Sequence, residues 1–253
     1  MPQAQWGEDP EFFGPRHQFR EKLILSALDS RAPGLHLECA AGLGSLANAL
    51  ASRGFRVVAA DASWKSLVVA RRLREQALLA VVADVRRLPF RPATFTSATS
   101  GETLEHVLED RQALGEFFRV LQPGGLLVGT VPHDSRQWSA WDDWAGHVRR
   151  YQRGELAAKL TEAGFKASVR SWGFPLVRLY DALVLKPVNR RRLKLAGPAR
   201  TDPILGFLAR VARLPWMVAI IWGLFTFDKF FLGSPWGVGL LFSAQKPAGV
   251  ARA

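Results

Sequence analysis

The sequence predicts an α/β fold in which helices cross between the strands of a largely parallel sheet. Residues Leu35–Asp61 read as a short apolar strand, a turn of small residues, a helix and a second strand, which is a βαβ unit of about 30 residues. Strand-like and helix-like segments keep alternating as far as Trp172. An acidic residue also closes each of the first three strands, at Glu38, Asp61 and Asp84. These three observations favour a ligand site at the carboxyl edge of the sheet.

Hydrophobic periodicity places the elements in chain order. A loop and helix at Pro10–Asp29 precede the first strand. The predicted strands are Leu35–Leu37, Arg56–Ala60, Leu79–Ala83, Phe95–Ser100, Leu126–Val131 and Lys166–Trp172. One predicted helix begins after Gly44, and further helices are predicted at Ser63–Gln76, Arg111–Leu121 and within Gly146–Phe165. A turn is predicted at Gln122–Gly125.

Length and composition fit one large domain over residues 1–253, since 48% of the residues are hydrophobic. The single cysteine, Cys39, excludes an intrachain disulfide and fits a reducing compartment. The first residues are acidic and lack the apolar segment of a secretory signal. We therefore expect a cytoplasmic protein.

The positive charge is concentrated in the last third of the chain. Residues up to Phe174 carry a net charge of +3, whereas Pro175–Ala253 has 12 Lys and Arg against three Asp, a net charge of +9. The same third is the most apolar part of the sequence. Cations combined with apolar residues favour an anionic membrane surface or an anionic amphiphile over nucleic acid.

The turn after the first strand has the chemistry of a nucleoside site. Gly42 and Gly44 allow a sharp turn and close approach of a ligand to the backbone. Asp61, about 20 residues after this turn, can accept hydrogen bonds from both ribose hydroxyls. Glu38 would repel a pyrophosphate but can hold an ammonium group. This combination favours S-adenosyl-L-methionine over a dinucleotide.

The turn resembles motif I of class I S-adenosylmethionine-dependent methyltransferases, in the methyltransferase type 11 or ubiquinone-biosynthesis-like group. Ala40 stands at the first glycine position. The resemblance covers Phe12–Trp172 and Pro235–Pro247, and includes the segments ADVRRLPF, GETLEHV and RVLQPGGLLVGTVP. It implies a doubly wound, seven-stranded, Rossmann-like sheet whose last strand is antiparallel. The cofactor contacts that it implies are Glu38, Ala40, Gly42, Gly44, Asp61, Ala62, Asp84, Val85 and Gly101.

Methyl transfer from a sulfonium is an in-line displacement, so the protein must position the nucleophile and accept its proton. The candidate bases follow the fourth and fifth strands and are His106, His133, Asp134 and His147. A second interpretation comes from Glu102, Glu105, His106 and His147, which resemble the Mg²⁺ or Mn²⁺ site of small-RNA 2′-O-methyltransferases. Two carboxylates suit such a cation. The alternative is that Leu104-Glu105-His106 is only a structural helix start.

Aromatic residues mark a candidate acceptor pocket. Trp138, Trp141 and Trp144 repeat every three residues, so that a helix would place them on one side. They could form the wall of an apolar pocket or fix the loop to the core. Phe13 and Arg16 precede motif I, where the resemblance implies a helix over the cofactor, and aromatic packing on the sheet is the alternative. The substrate-binding candidates are Phe13, Arg16, Trp138, Trp141, Trp144 and Tyr151.

A segment of about 60 residues, 174–234, separates the sixth and seventh strands, far more than an ordinary loop needs. We predict that it is a helical insertion. Its uncharged run Leu214–Phe227 is shorter than the roughly 20 residues that span a bilayer. Three interpretations remain open, namely an interfacial membrane anchor, a lid over the pocket and a dimer face.

The function expected from sequence and resemblance is S-adenosylmethionine-dependent methylation, at oxygen, of a small hydrophobic or lipid-linked acceptor. Methylation of RNA or another anionic polymer is an alternative. A non-catalytic module that binds a membrane or a partner is another. The expected location is the cytoplasm, with peripheral attachment to the inner face of the membrane as a further expectation.

Overall fold

The computed structural model describes residues 14–73, 79–194 and 215–248. Their centre is a seven-stranded sheet with the order β3-β2-β1-β4-β5-β7-β6. Strands β1 to β5 are parallel, and β7 runs antiparallel to both β5 and β6. The strands are β1 Leu35–Cys39, β2 Arg56–Asp61, β3 Leu79–Val82, β4 Phe95–Gly101, β5 Leu121–Pro132, β6 Lys166–Trp172 and β7 Gly239–Gln245. The predicted fold class is confirmed.

Helices cover both faces of the sheet, because the buried strands are apolar on each side. One core layer packs α4 and α6 on the sheet, and the other packs α1, α2, α3, α7 and α9. The helices are α1 Pro15–Leu28, α2 Ser45–Ala51, α3 Trp64–Leu73, α4 Asp110–Val120, α5 Ala140–Ala145, α6 Arg153–Glu162, α7 Leu176–Tyr180, α8 Lys186–Lys194 and α9 Pro215–Thr226. A π-helical turn, Asp181–Leu185, joins α7 to α8.

The neighbours β1 and β4 mark the point at which the strand order reverses. In open α/β sheets a crevice forms at such a point, outside the carboxyl ends of the strands. Here those ends carry Glu38 on β1 and Gly101 on β4, with Asp61 at the end of β2. The topology therefore gathers the predicted cofactor residues at one edge.

The predicted turn Gln122–Gly125 is part of β5 in the structure. The pairing of β4 with β5 changes register there, since Phe95 pairs with Leu121 whereas Ser97 pairs with Leu126. Gly124 has a φ of +79°, a conformation that glycine adopts without strain. The predicted turn is thus an irregular stretch of β5, with three more residues than β4 between these two pairs.

The described part of the insertion is helical and packs on the main domain. Phe225 of α9 lies 5.9 Å from the Phe19 ring of α1, and Lys22 Nζ lies 3.5 Å from the Trp222 ring centroid. The buried carboxylate of Asp228 accepts the backbone N–H groups of Leu176 and Val177, each at 2.8 Å. Among the described residues, no helix has the length and apolarity that crossing a bilayer requires.

Candidate functional site

A cleft of about 1320 Å³ opens at the carboxyl edge of the sheet. Strand ends line one side of this cleft, and residues of α1, α5 and the helix formed by α7 and α8 line the other. Its volume exceeds the roughly 300–1000 Å³ typical of a pocket for one small ligand, so it has room for a cofactor and an acceptor together. The predicted cofactor residues that line it are Glu38, Ala40, Gly42, Asp61, Ala62, Asp84, Val85 and Gly101.

The turn between β1 and α2 is held by Asp61. Its two carboxylate oxygens accept the N–H groups of Gly42 and Ser63, each at 2.8 Å. Burial raises the pKa of Asp61. Ala40 has a φ of +55°, so this non-glycine residue adopts the left-handed conformation at the first position of the turn. Gly44, with a φ of +73°, caps α2 rather than lining the cleft.

Glu38 is held by a chain of buried polar groups. Thr99 donates its hydroxyl proton to the Glu38 carboxyl. The His36 ring lies between β1 and β4, with Nε2 2.8 Å from Thr99 Oγ1 and Nδ1 2.8 Å from Ser97 Oγ. Burial raises the pKa of Glu38 to about 8 and lowers that of His36 to about 3. Without bound cofactor, Glu38 is therefore protonated and the His36 imidazole neutral near neutral pH.

Asp84 forms an ion pair at the rim of the cleft. The Arg86 guanidinium lies 2.6 Å from Asp84 Oδ2, and a second arm reaches Glu109 at 2.8 Å. Hydrogen bonds from Arg86 lower the pKa of Asp84. Asp84 thus stays ionised at the cleft rim, and both Asp84 and Val85 are among the predicted cofactor contacts.

His147 is oriented by an acid. Its Nδ1 lies 2.8 Å from Asp142 Oδ1, and the Arg150 guanidinium donates to both oxygens of Asp142 at 2.8 and 2.9 Å. Burial would raise the pKa of Asp142, but hydrogen bonds from His147 and Arg150 hold it below its usual value. A carboxylate can only accept, so Nδ1 carries the proton and Nε2 of the neutral ring keeps its lone pair. That lone pair can accept a proton or bind a metal.

Three of the four predicted metal ligands come together. Ligand atoms of Glu105, His106 and His147 all lie within 4.8 Å of one another. Neither carboxyl oxygen of Glu105, a fully buried side chain, has a hydrogen-bond partner among the described residues. Burial and the neighbouring Glu102 charge raise the pKa of Glu105 well above its usual value. This buried, uncompensated carboxyl is the feature that a cation would satisfy.

Glu102 faces arginines instead of joining this cluster. Its carboxylate lies 3.8 Å from Arg20 Nη1, and its backbone φ of +57° turns the chain at the end of β4. Burial would raise its pKa, but the charges of Arg20 and Arg16 hold it below the usual value. The predicted pair of carboxylates is therefore divided between two environments.

The three tryptophans all line the cleft, although not from one helix. Trp141 and Trp144 lie on α5 with ring centroids 4.7 Å apart, whereas Trp138 precedes that helix and donates its indole N–H to Asp143 at 2.9 Å. The prediction that one helix carries all three tryptophans is therefore wrong for Trp138, because α5 begins only at Ala140. Arg16, from α1, also lines the cleft and pairs with Asp181 at 3.4 Å.

Three other candidates do not reach the cleft. His133 is buried with Nδ1 3.1 Å from the Gly237 carbonyl oxygen. Asp134 accepts hydrogen bonds from Arg136 and Gln152. Tyr151 is fully buried and donates its hydroxyl proton to Asp110 at 2.7 Å. These predictions are corrected, because each side chain is already engaged away from the cleft lining. Phe13 lies outside the described residues.

Sequence reasoning missed several residues of the site. Arg20 and Glu21 of α1 line the cleft, as do Arg150, Lys186 and Arg190. The spacing of Arg16 and Arg20, four apart on a predicted helix, was a usable signal that both face one way. Thr99 carried a weaker signal, since it is a polar residue in a strand that ought to be buried.

Comparison with known proteins finds similarity to methyltransferases. Residues 37–129 match the family described as a methyltransferase domain. The chain is 36% identical over 107 residues to the demethylmenaquinone methyltransferase of Paenarthrobacter aurescens, which covers 42% of each protein. It is 28% identical over 155 residues to the malonyl-[acyl-carrier protein] O-methyltransferase of Salmonella typhimurium, covering 59% of this chain and 58% of the relative. The matches thus span about half the length of these relatives.

A solved structure extends the likeness to nearly the whole chain. Phosphoethanolamine N-methyltransferase 2 of Haemonchus contortus, in complex with phosphomonomethylethanolamine and S-adenosylhomocysteine, superposes with a TM-score of 0.63. The match covers 96% of this chain and 56% of that one at 18% identity. At this identity the likeness concerns the fold alone.

Proposed function

We propose that this chain, which belongs to the class I S-adenosylmethionine-dependent methyltransferases, methylates a small hydrophobic or lipid-linked acceptor at an oxygen atom. One observation carries the proposal. His147, oriented by Asp142, lines the same cleft as Glu38 and Asp61, with the indoles of α5 beside it. The proposed cofactor contacts, a base and an apolar wall thus line the same cleft.

The residues divide the work of the transfer. The Glu38 carboxylate would hold the ammonium of the cofactor, and Asp61 the ribose hydroxyls. The cofactor supplies the electrophilic methyl group. His147 Nε2 would take the proton of the acceptor hydroxyl as the oxygen attacks, and Asp142 would stabilise the imidazolium that forms. Trp138, Trp141 and Trp144 are the proposed substrate contacts.

The relatives support the acceptor class. One relative is a demethylmenaquinone methyltransferase, which acts on a quinone, and the other is a malonyl-[acyl-carrier protein] O-methyltransferase, which methylates at oxygen. An apolar aromatic wall suits such acceptors better than it suits a polyanion. We include in the proposal a peripheral contact with an anionic membrane, since hydrophobic acceptors reside there.

A divalent cation at Glu105, His106 and His147 is a second form of the same proposal, favoured by the orphaned Glu105 oxygens. One carboxylate and two imidazoles suit Mn²⁺, Fe²⁺ or Zn²⁺ better than Mg²⁺, which prefers oxygen ligands. Of the two ions named in the second interpretation from sequence, this donor set therefore favours Mn²⁺ over Mg²⁺. Such an ion, when bound, would polarise an acceptor hydroxyl.

The proposal can be tested with methyl-tritiated S-adenosylmethionine. The protein is incubated with a membrane lipid extract from cells that lack the gene, and with total RNA in parallel. We expect tritium in the organic phase, at a rate about 10²–10⁴-fold lower with the His147→Gln variant. Label in RNA would favour the polymer alternative. Binding of the cofactor without label in either fraction would contradict methyl transfer and favour a non-catalytic module.

A further inference from the structure

The described part of the insertion and the residues just after it carry four exposed aromatic side chains, which pack with the partly buried Phe174. This group is here termed the aromatic ridge: Phe174, Phe227, Phe230, Phe231 and Trp236. Phe230 is 84% exposed and Trp236 is 58% exposed. The Phe227 ring lies 5.9 Å from Phe230 and 5.4 Å from Phe231, and Phe174 contacts both Phe231 and Trp236. These rings therefore form one continuous surface rather than scattered exposures.

Aliphatic residues extend this surface. Ile220 and Leu224 are exposed on α9 and precede Phe227 at intervals of four and three residues, so all three lie on one helix face. Leu179 and Leu183, also four apart, are exposed beside the junction of α7 and the π-helical turn. Contiguous exposed apolar surface of this kind marks an interaction site.

The exposed charges of the described insertion are of one sign. In the described part of the insertion the two acids turn inward, since Asp181 pairs with Arg16 and Asp228 is buried beneath the N-terminus of α7. The exposed charged residues of the described insertion are all basic: Arg178, Lys186, Arg190, Arg191 and Lys229. Arg178 donates a hydrogen bond to the Trp236 carbonyl oxygen at 2.7 Å. Lys229 lies within the ridge sequence, whereas Lys186 and Arg190 line the cleft. Lys and Arg beside exposed aromatic rings complement an anionic lipid surface. Two copies docked ridge to ridge would instead bring like charges together.

The helix formed by α7, the π-helical turn and α8 connects this surface with the cleft. Arg178, Asp181, Leu185 and Asn189 recur at helical spacing and line the cleft, whereas Leu179 and Leu183 are exposed. A bilayer against the ridge would therefore adjoin the wall of the cleft. An amphiphile could pass from the lipid to the site without crossing bulk water.

We propose that the aromatic ridge, with the cations around it, docks the protein on an anionic lipid bilayer and sets the mouth of the cleft at the headgroup level. The inference deepens the proposed function, since it rests on that proposal for the source of the acceptor. The docking itself depends only on the ridge and its charges. It can therefore be tested apart from catalysis.

The test is flotation of the full chain, without cofactor or acceptor, on vesicles of phosphatidylcholine with or without phosphatidylglycerol. We expect binding to the anionic vesicles that weakens with salt. Phe230→Ala and Trp236→Ala should each weaken binding about tenfold, the equivalent of about 1.4 kcal/mol. Leu79→Ala, a change at a 62% exposed residue of β3, is the matched control and should bind as the wild type does.

Charge reversal supplies a second comparison. Lys229→Glu, beside the ridge, should weaken binding to anionic vesicles, whereas Lys166→Glu, on the exposed side of β6, should have a smaller effect. Equal losses for the two variants would contradict an oriented contact. If the protein floats with neither kind of vesicle, the proposal is overturned in favour of a lid. If the protein forms a dimer that the Phe230→Ala variant does not form, it is overturned in favour of a dimer face. Normal flotation without methylated product would leave docking intact and count only against the proposed function.

Discussion

The hydroxyl of Thr99 on β4 donates a hydrogen bond to the carboxyl of Glu38 on β1, in the buried seam between the two strands. Glu38 and Thr99 are register partners in the sheet. The seam ends at the cleft, so the interior of the sheet sets the orientation of the Glu38 carboxyl that lines the cleft. Because Thr99 gives its only hydroxyl proton to Glu38, the Nε2–H of the neutral His36 ring donates to Thr99 Oγ1, and Nδ1 accepts from the Ser97 hydroxyl.

The first prediction concerns the pH dependence of cofactor binding. Burial raises the pKa of Glu38 to about 8, so its carboxyl is protonated at pH 6 before the cofactor binds. The cofactor ammonium favours the carboxylate, and binding should therefore release a proton. We expect the affinity for S-adenosylhomocysteine to rise between pH 6 and pH 8, by up to about tenfold per pH unit, and then to level off. Calorimetry across this range measures the effect.

Two variants and a stability measurement check this assignment. Glu38→Gln should bind weakly at every pH, and Thr99→Val should move the rise to higher pH because it removes a donor to the carboxylate. The folded protein holds the Glu38 proton between about pH 4.5 and pH 8 and the unfolded chain does not. The free energy of unfolding of the empty protein should therefore fall as pH rises through this window. An affinity profile shared by the wild type and Glu38→Gln would contradict the assignment.

The second prediction concerns Asp61. Asp61→Asn should weaken binding of S-adenosylmethionine by about 1–3 kcal/mol, because a charged acceptor for the ribose hydroxyls is lost and the turn at Gly42 loosens. Asp29→Asn, at an exposed residue after α1, is the control. Isothermal calorimetry that gives equal affinities for Asp61→Asn and wild type would remove the ribose from this position.

The third prediction separates a metal site from a metal-free base. If Glu105, His106 and His147 hold an ion, Mn²⁺ or Zn²⁺ at 100 times its dissociation constant should stabilise the wild type by about 2.7 kcal/mol. The increase in melting temperature should disappear in Glu105→Gln and persist in Asp143→Asn, an exposed acid of α5. Activity should then be lost in chelator and return with the ion. Unchanged melting temperature and full activity in excess EDTA would leave His147 as a base alone.

The fold was predictable because its signals are local. Helical and strand periodicity can be recognised from consecutive residues. The acids at the ends of β1 and β2 could be assigned to one edge of the sheet, since parallel strands point the same way. The partnership of Glu38 with Thr99 was not predictable in this manner. It joins residues 61 apart and needs the strand order, which places β4 beside β1.

Candidates after β5 failed for a related reason. Sequence position gives the edge of the sheet but not the direction of a side chain once the strand has ended. Asp134 has a φ of +62°, and its N–H bonds to the Tyr151 carbonyl oxygen. His133 forms a bridge with Tyr151, so that these residues continue the sheet instead of entering the cleft. His147, further along the same connection, reaches the cleft because Asp142 of α5 holds its ring.

The last prediction concerns His147 as the general base. His147→Gln should lower kcat by about 10²–10⁴-fold, the usual contribution of a positioned proton acceptor, with the affinity for S-adenosylmethionine unchanged. Glutamine fills much of the same space but cannot take a proton at neutral pH. His133→Gln is the matched control, since that ring bonds to the Gly237 carbonyl oxygen and does not line the cleft. It should keep kcat even if it lowers the melting temperature. Single-turnover rates with saturating cofactor separate the two variants, and equal rates for His147→Gln and wild type would exclude His147 as the proton acceptor.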